Sequence, residues 1–585
     1  MTLSPLPTPS AMPSARTGGQ LVADQLIRQG VEIAFGVPGE SYLEVLDGLH
    51  AQGERFRFVI CRHEGGASFM AESYAKLTGR PGVCLVTRGP GATNASIGVH
   101  TAFQDSSPMV LLIGQVGNAM VEREAFQEID YRRMFGPMAK WVAQIDDAAR
   151  VPEYIARAFQ TASSGRPGPV VLALPEDMLT ATAVVPDAAP HRPVVAAPST
   201  ADVEAVLEVL ATAERPFVIV GGHGWTRDGA RALREFAEAM NLPVGCAFRF
   251  QDTLDNRHPN YAGDVGIGIN PRLAARIRAA DVLLVIGARL GEMTTSGYTL
   301  VEAPTPRQRL IHVHPDPEEL GRVYQAELYI CAGADRFARA LATSIAASPP
   351  RTPPRAADWR ADLEAWQSEP PLYAERAAPA RLNLWQVVQT IRRRAPADAI
   401  ITNGAGNFAT WAHRFFPYCG VEHCGKSQLA PTSGAMGYGV PAAVMASLVA
   451  PERLTINFAG DGDFLMTAQE IATARQYGGA FITVVFNNGM YGTIRMHQER
   501  EHPGRVYGTR LVNPDFVAYM QSFGGRGYRA STNAEFDAAF ERALAHVSEE
   551  RLPVLIELAM DPEDLTPTQS LSAIRQAASH RAAAQ

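Results

Sequence analysis

The chain has 585 residues, of which 46% are hydrophobic and 19% charged, a globular composition with enough apolar material for several domains. Its formal net charge is −7 and no segment concentrates Lys and Arg, so the sequence argues against a nucleic-acid partner. The longest apolar runs have the length of strands and fall far short of the ~20 residues of a membrane span. We therefore expect a cytoplasmic enzyme that acts without nucleic acid or membrane.

Neither the beginning of the chain nor its cysteines indicate a secreted protein. Residues 1 to about 17 have no basic start followed by an apolar stretch, so they predict a loose tail and not a targeting signal. Six cysteines are too few for a disulfide framework. Cys419 and Cys424 flank His423, but without a second pair of ligands this spacing does not predict zinc, and we expect ordinary loop residues.

The first part of the chain alternates short β-branched runs with glycine-rich turns and helical stretches, which is the pattern of parallel α/β units. A helix is expected over residues 65–77. Strands are expected over residues 32–37, 56–61, 82–87, 109–114 and 169–174.

The same pattern recurs twice, after a linker predicted over residues 184–198 and after a Pro-rich gap at residues 348–354. In the second block, strands are expected over residues 216–220, 282–286 and 310–313. In the third block, strands are expected over residues 399–402, 454–458, 481–486 and 553–558. We predict an α/β fold of three doubly wound parallel-sheet domains, over residues 18–183, 199–347 and 380–565.

Polar side chains follow two strands of the third block. Asp461 lies between two glycines after the strand at 454–458. A helix expected at 471–477 and a strand at 481–486 follow it, and Asn488 comes directly after that strand. Neighbouring strand ends lie close in space, so a carboxylate and an amide oxygen from them could complete a hard-cation site with a backbone carbonyl and diphosphate oxygens. Either turn alone could be an ordinary Gly-, Asp- or Asn-containing turn, whereas the two turns at this spacing form a specific motif.

Together these two turns, 27 residues apart, resemble the thiamine diphosphate signature of the decarboxylase and acetolactate synthase superfamily. The resemblance implies that Asp461, Asn488 and the carbonyl of Met490 hold Mg²⁺. Residues 432–439 resemble the segment that bends the cofactor, which implies that Met436 lies beneath its two rings and that the Gly434 carbonyl accepts from its amino group. The remaining cofactor-binding residues that it implies are Gly460, Gly462 and Asp463.

Glu64 follows the first block's strand at 56–61, where an acid at a helix N-terminus would ordinarily be a dipole-stabilised surface residue. Residues 35–39 and 87–94 resemble turns of the superfamily's pyrimidine-binding domain, and there a carboxylate at this place activates the cofactor. The resemblance therefore makes Glu64 catalytic, the first domain pyrimidine-binding and the third diphosphate- and metal-binding. It also implies a homodimer or homotetramer, because Glu64 of one subunit meets the cofactor of another.

Residues 104–108 and 125–128 resemble the acetolactate synthase branch, which implies that Phe126 and Gln127 act at the substrate cavity. The implied activity is that of a transferase or lyase, a decarboxylase and carboligase that joins the remainder of a small 2-keto acid, above all pyruvate, to a second carbonyl. Glu40, Arg88 and His497 depart from that branch and are expected at the cavity. The acceptor and any regulatory subunit are left open.

Three alternatives are kept beside this reading. A dedicated 2-keto acid decarboxylase would carry paired histidines that residues 117–127 lack, and a 2-hydroxyacyl-CoA lyase or oxalyl-CoA decarboxylase would need a basic carboxy-terminal lid. The third alternative is a flavin oxidoreductase of the pyruvate oxidase type. Residues 218–224 and 286–289 resemble the nucleotide-facing turns of relatives, so FAD is left open as a further cofactor.

Overall fold

A computed structural model describes residues 14–348, 358–374 and 382–584. Within these residues the strands are β1 (Arg16–Thr17), β2 (Ile33–Gly36), β3 (Arg57–Ile60), β4 (Gly82–Val86), β5 (Met109–Gln115), β6 (Trp141–Gln144), β7 (Pro169–Pro175), β8 (Thr182–Ala183), β9 (Phe217–Val220), β10 (Val244–Ala247), β11 (Tyr261–Val265), β12 (Val282–Ile286), β13 (Arg309–His314), β14 (Leu328–Cys331), β15 (Ile400–Asn403), β16 (Gln428–Leu429), β17 (Thr455–Gly460), β18 (Ile482–Asn487), β19 (Arg526–Ala530) and β20 (Val554–Ala559).

The α-helices of the same residues are α1 (Gly18–Arg28), α2 (Leu43–His50), α3 (Glu64–Thr78), α4 (Gly89–Asp105), α5 (Tyr131–Phe135), α6 (Val151–Ser163), α7 (Glu176–Thr180), α8 (Thr200–Thr212), α9 (Arg227–Ala239), α10 (Pro271–Ala279), α11 (Ala334–Ala347), α12 (Trp359–Gln367), α13 (Pro371–Ala374), α14 (Leu384–Arg394), α15 (Ala409–Phe415), α16 (Val421–Cys424), α17 (Gly439–Val449), α18 (Asp461–Phe464), α19 (Ile471–Tyr477), α20 (Gly492–Glu501), α21 (Phe516–Ser522), α22 (Asn533–Glu549) and α23 (Leu571–Ala584).

The chain forms two compact units. The first comprises the described residues up to Ala75 together with residues 80–103 and 107–194. It contains a parallel sheet in the order β3-β2-β4-β5-β7-β6 and a short antiparallel pair of β1 with β8. Every residue of β5 and β7 is buried, because helices cover both faces of the sheet, and this explains their continuous apolar runs.

The second unit comprises residues 76–79, 104–106 and the described residues from Val195 onward. It contains two parallel sheets, one in the order β11-β10-β9-β12-β13-β14 and one in the order β16-β15-β17-β18-β20-β19. In each sheet the chain first moves outward and then crosses back, so the strand order reverses near the middle. In the first and third sheets the last strand also returns to lie inside the strand before it. The reversals lie between β2 and β4, between β9 and β12, and between β15 and β17, and ligands of doubly wound sheets bind at such points.

The predicted fold class is confirmed, since three six-stranded parallel sheets carry flanking helices. All twelve predicted strands are present with ends shifted by at most two residues, whereas the predicted domain boundaries stay a prediction. Most of the predicted gap at 348–354 lies outside the described residues. The strands that the sequence did not indicate are β6, β10, β11, β14, β16 and β19, together with the short pair β1 and β8.

One expectation about the cysteines is wrong. Cys419 and Cys424 form a disulfide with their Cα atoms 5.9 Å apart, because the single turn of α16 returns the chain to within bonding range. Within the described part of the chain no helix is long and apolar enough to cross a membrane.

Candidate functional site

The ends of β17 and β18 bring Asp461 and the Asn487–Asn488 turn together, since these two strands are parallel neighbours. The Asp461 carboxylate accepts from the backbone N–H of Gly462 at 3.0 Å and, through its other oxygen, from that of Gly489 at 2.9 Å. The Asn488 side-chain oxygen accepts from the backbone N–H of Met490 at 3.1 Å. The two loops therefore meet at Asp461, and the oxygens that they gather are of the kind that Mg²⁺ binds.

Burial acts on the charge of Asp461. The residue is 3% exposed, and burial raises the pKa of its carboxyl, while hydrogen bonds from Asn513, Gly462 and Gly489 act in the opposite direction. A bound cation would also favour the ionised form, because opposite charge offsets the loss of hydration. The site is thus suited to a positively charged occupant.

Asn513 is a residue of this site that sequence reasoning missed. Its amide nitrogen donates to Asp461 Oδ2 at 2.7 Å and to Asn487 Oδ1 at 2.9 Å. Its position in an Asn-Pro-Asp sequence indicates an ordinary turn, and Asp515 does cap the helix α21 that follows. No local signal in the sequence links Asn513 to a loop about fifty residues earlier.

Asp463 links three loops at the β15–β17 reversal. Its Oδ1 accepts from the backbone N–H of Gly437 at 2.8 Å and from that of Ala405 at 3.2 Å. Burial raises the pKa of the Asp463 carboxyl to about 7, and the two backbone hydrogen bonds lower it. The Asp463 side chain therefore holds the loop after β15 and the turn before α17 in place.

The segment before α17 is a glycine-rich turn. Gly434 and Gly437 have φ angles of +67° and +80°, which favour glycine, and a Cβ at Gly434 would meet no atom within 4 Å. Met436 is half-buried, unlike a methionine of the core. Asp105, in the short 104–106 segment of the second unit, holds the start of this turn by accepting from the backbone N–H of Thr432 at 2.9 Å.

In the first unit, Glu64 is the first residue of α3 and follows β3. Its Oε2 accepts from the Asn94 side-chain nitrogen at 2.9 Å, and a Cβ at Gly91 would lie 3.5 Å from its Oε1. Asn94 and Gly91 belong to α4, which starts just beyond β4. The carboxylate is half-buried and is held by one oxygen at the carboxyl edge of the sheet.

Arg88, Glu40 and Glu176 meet at the same edge of that sheet. The Arg88 side chain is 10% exposed, forms an ion pair with Glu176 just after β7, and lies 3.6 Å from Glu40 Oε1 just after β2. Glu176 was not predicted as a site residue. Three strand ends thus contribute a buried guanidinium and two carboxylates to one charged cluster.

The loop after β5 lies beside Arg88. The Gln127 carbonyl accepts from the backbone N–H of Gly89 at 2.9 Å, with Gln127 at a φ of +65°. Phe126 beside it is 73% exposed in the first unit. His497 belongs to the second unit, on α20, where its side chain is exposed.

Three family models match the chain. They are described as the N-terminal TPP binding domain of thiamine pyrophosphate enzymes over residues 16–134, the central domain over residues 203–341 and the C-terminal TPP binding domain over residues 404–558. Each match includes strands from one of the three six-stranded sheets.

Relatives of similar length support the same relationship. The chain is 31% identical to the acetolactate synthase isozyme 3 large subunit of Escherichia coli K12 over 566 residues, covering 94% of this chain and 96% of the relative. It is 32% identical over 545 residues to the acetolactate synthase large subunit of Corynebacterium glutamicum, covering 91% and 86% of the two chains. The mitochondrial acetolactate synthase catalytic subunit of Saccharomyces cerevisiae is 30% identical over 572 residues, with coverage of 93% and 81%.

The matched domains include the residues around Asp461 and Glu64. The chain therefore belongs to the thiamine pyrophosphate enzymes, as a thiamine-diphosphate-dependent enzyme of the branch that contains the acetolactate synthase large subunits.

Proposed function

We propose that the protein decarboxylates a small 2-keto acid, pyruvate in the first instance, and joins the remaining fragment to a second carbonyl compound. The observation that carries this proposal is the gathering of Asp461, Asn488 and the Met490 backbone at one strand edge, in a chain related to acetolactate synthases. Bound thiamine diphosphate would supply the nucleophilic carbon and the electron sink for loss of CO₂.

The donor set suits Mg²⁺ as the metal. A carboxylate of Asp461, an amide oxygen of Asn488 and the backbone carbonyl of Met490 are hard oxygen ligands, and Mg²⁺ takes such ligands together with phosphate oxygens and water. A Cβ at Gly460 would lie 2.9 Å from the Phe408 ring and a Cβ at Gly462 would lie 2.6 Å from the Tyr491 ring, so both positions need glycine for the loop to pack against these rings. In the turn before α17, Gly434 has open space at its Cβ position, which supports its backbone as a cofactor contact.

Glu64 would hold a proton at the cofactor's pyrimidine. Its half-buried carboxylate is fixed through Oε2 by Asn94, which supports this role because an acid that exchanges a proton with a ligand must be held in place. We propose that the partner in this exchange is cofactor carried by a second copy of the chain. The active assembly would then be a homodimer or homotetramer, and separated monomers would be inactive.

The charged cluster of Arg88, Glu40 and Glu176 would set the polarity of the substrate cavity, with Phe126 and Gln127 on the adjoining loop. The buried guanidinium at the carboxyl edge of the sheet supports this proposal, since ligands of such sheets lie beyond that edge. His497, whose side chain is exposed on α20, is kept as a further proposed substrate residue. This composition leaves the acceptor open among keto acids and aldehydes.

Product analysis tests the function directly. The holoenzyme is incubated with pyruvate alone and with pyruvate plus a panel of 2-keto acids and aldehydes, and the products are identified by mass spectrometry. A 2-hydroxy ketone or a 2-hydroxy-2-alkyl-3-keto acid supports the proposal. Free acetaldehyde as the sole product would instead indicate a 2-keto acid decarboxylase, and turnover restricted to CoA thioesters would indicate a 2-hydroxyacyl-CoA lyase or oxalyl-CoA decarboxylase.

FAD is a separate proposal for the central sheet. The turn after β9 has Gly222 and Gly224 at φ angles of +74° and +86°, and a Cβ at Gly224 would meet no atom within 4 Å. This turn meets Gly287 at the β9–β12 reversal, the place where nucleotides bind in doubly wound sheets. A visible flavin spectrum of the purified protein tests it, and oxygen uptake with pyruvate would identify an oxidase.

A further inference from the structure

Asn513 is the last link of a hydrogen-bonded chain that ends on Asp461. At one end, Arg529 Nε donates to Glu557 Oε2 at 2.9 Å. The other oxygen of Glu557 accepts from Asn487 Nδ2 at 2.8 Å, and Asn487 Oδ1 accepts from Asn513 Nδ2 at 2.9 Å. Asn513 Nδ2 also donates to Asp461 Oδ2 at 2.7 Å, so the chain runs from a cation to the proposed metal ligand.

This chain fixes the orientation of both amides. The Glu557 carboxylate is paired with Arg529 and accepts from Asn487, so Asn487 turns its nitrogen towards Glu557 and its oxygen towards Asn513. Asn513 must then present its nitrogen to Asn487, and a flipped Asn513 would set its oxygen against the oxygens of Asn487 and Asp461. Of the two orientations of the Asn513 amide, only the one with its nitrogen towards Asp461 and Asn487 gives both of these acceptors a donor.

The backbone around Asn513 is fixed as well. Leu511 donates its backbone N–H to the Gly489 carbonyl at 2.8 Å, and Tyr491 donates to the Thr509 carbonyl at 2.8 Å. The segment preceding Asn513 therefore pairs antiparallel with the loop that carries Asn488 and Met490. Asn513 is attached to both loops that would hold the metal.

One atom of Asn513 has no partner within the described part of the chain. Its Oδ1 is shielded from solvent and accepts no hydrogen bond there, which costs free energy unless a ligand supplies a donor. Mg²⁺ usually keeps several of its waters, and those are donors. The Asn513 amide can therefore hold the carboxylate proposed to bind the metal and also accept from a water on that metal.

We propose that Asn513 is a positioning residue for the metal: it holds Asp461 Oδ2 in the orientation that binds the cation, under the control of the Arg529–Glu557–Asn487 chain. This inference rests on the metal site of the proposed function. Since Asn513 acts through Asp461, its loss weakens the affinity for metal in the presence of thiamine diphosphate. Folding of the domain is affected less than metal binding is.

The test measures Mn²⁺ binding by electron paramagnetic resonance, with the full chain and saturating thiamine diphosphate. The variants are N513A, D461A and the matched control N383A. Asn383 is a second asparagine with a structural role in the same unit. Its side-chain oxygen caps α14 by accepting from the backbone N–H of Gln386 at 3.2 Å, and its side-chain nitrogen donates to the Glu369 carboxylate at 2.7 Å. Thermal unfolding of each metal-free protein is measured in parallel.

We expect N513A to bind Mn²⁺ about 10- to 100-fold more weakly, the usual cost of losing an outer-shell partner, while N383A binds as the wild type does. A loss of less than about threefold in N513A, well below that usual range, overturns the inference. An equal loss in N383A overturns it too, because the effect would then be general destabilisation.

The D461A variant distinguishes a failure of the proposed metal site from a failure of the role proposed for Asn513. If D461A binds Mn²⁺ as tightly as the wild type, the proposed metal site itself is wrong. If D461A loses Mn²⁺ and N513A does not, the metal site stands and only the role of Asn513 fails. Should N513A show no cooperative unfolding, N513L is measured against the same criteria, since leucine is close to asparagine in size but cannot donate to Asp461.

Discussion

The Asp463 carboxylate accepts a hydrogen bond from the backbone N–H of Gly437 at 2.8 Å, which joins two loops that are 26 residues apart. The same oxygen reaches Ala405, so the loops after β15 and β17 and the turn before α17 share one acceptor. Gly404 allows this approach, because a Cβ there would lie 2.0 Å from Asp463 Oδ1. The arrangement of these loops therefore depends on the absence of a side chain at Gly404.

We expect Gly404→Ala to displace the Asp463 carboxylate and loosen the turn before α17. Overpacking of this kind costs about 1–3 kcal/mol. If the cost falls on the bound state, it corresponds to roughly 5- to 150-fold weaker cofactor binding. Titration of intrinsic fluorescence with thiamine diphosphate at fixed Mg²⁺ measures this affinity.

Gly136→Ala is the control for this substitution. Gly136 has a φ of −50°, and a Cβ there would meet no atom within 4 Å, so alanine fits without strain. Equal cofactor affinity in the two variants would contradict the role assigned to Gly404.

Glu64→Gln should separate cofactor binding from turnover. Glutamine keeps the acceptor for Asn94 Nδ2 but cannot exchange a proton with the cofactor, so the affinity for thiamine diphosphate should change little. We expect kcat to fall by about 10²- to 10⁴-fold, the usual contribution of a positioned acid or base. Asn94→Ala should lower kcat less, because the carboxylate remains but loses one hydrogen bond. Full activity of Glu64→Gln in a pyruvate consumption assay would remove Glu64 from the catalytic residues.

The central strands and the turns that follow them could be predicted from the sequence, because strands buried on both faces read as continuous apolar runs. Of the edge strands of the three six-stranded sheets, only β3 could be predicted, and the interior strand β10 was missed as well. In β19, Arg526 and Arg529 are exposed and only Ala530 is fully buried, and β16 has only two residues. These strands form because they pair with a neighbouring strand, and the sequence of one segment does not show which segment it will pair with.

The residues of the candidate site likewise fall into those that the sequence could predict and those that it could not. Asp461 and Glu64 stand in motifs whose spacing is visible, whereas Asn513 and Glu176 act through contacts with distant segments. Arg88 was noticed only as a departure from relatives, and its buried pairing with Glu176 depends on β4 and β7 lying on either side of β5. Tertiary contacts of this kind follow from strand order, which the sequence leaves undetermined.

The stability of the protein should fall as the pH rises from about 4 to about 7 through Asp264. Burial raises the pKa of this carboxyl to about 7, Arg249 lowers it, and one carboxylate oxygen has no partner in the described part of the chain. In this window the folded state keeps a proton that the unfolded state has lost, so ionisation opposes folding. Asp264→Asn should remove this effect and raise Tm by a few degrees at pH 8, with little change at pH 4.

Thermal unfolding of both proteins across this pH range measures the difference. Asp463 has a raised pKa of similar value, so the variant keeps part of the slope, and the relevant quantity is the change between the two profiles. Parallel profiles for wild type and Asp264→Asn would show that Asp264 is ionised at no cost in the folded state.

Phe126→Ala should change which products are formed without changing stability. The Phe126 side chain is 73% exposed in the first unit, so its removal costs within about 0.5 kcal/mol, as for other surface substitutions. If Phe126 lines the cavity, a smaller residue admits a larger acceptor, and the ratio of cross-ligated product to pyruvate self-condensation should rise severalfold in competition assays. Leu43→Ala is the matched control, since Leu43 is 61% exposed in the same unit and is not one of the proposed cavity residues. An unchanged ratio in Phe126→Ala, or an equal change in Leu43→Ala, would place substrate selection elsewhere, with the Arg88–Glu176 pair as the next residues to vary.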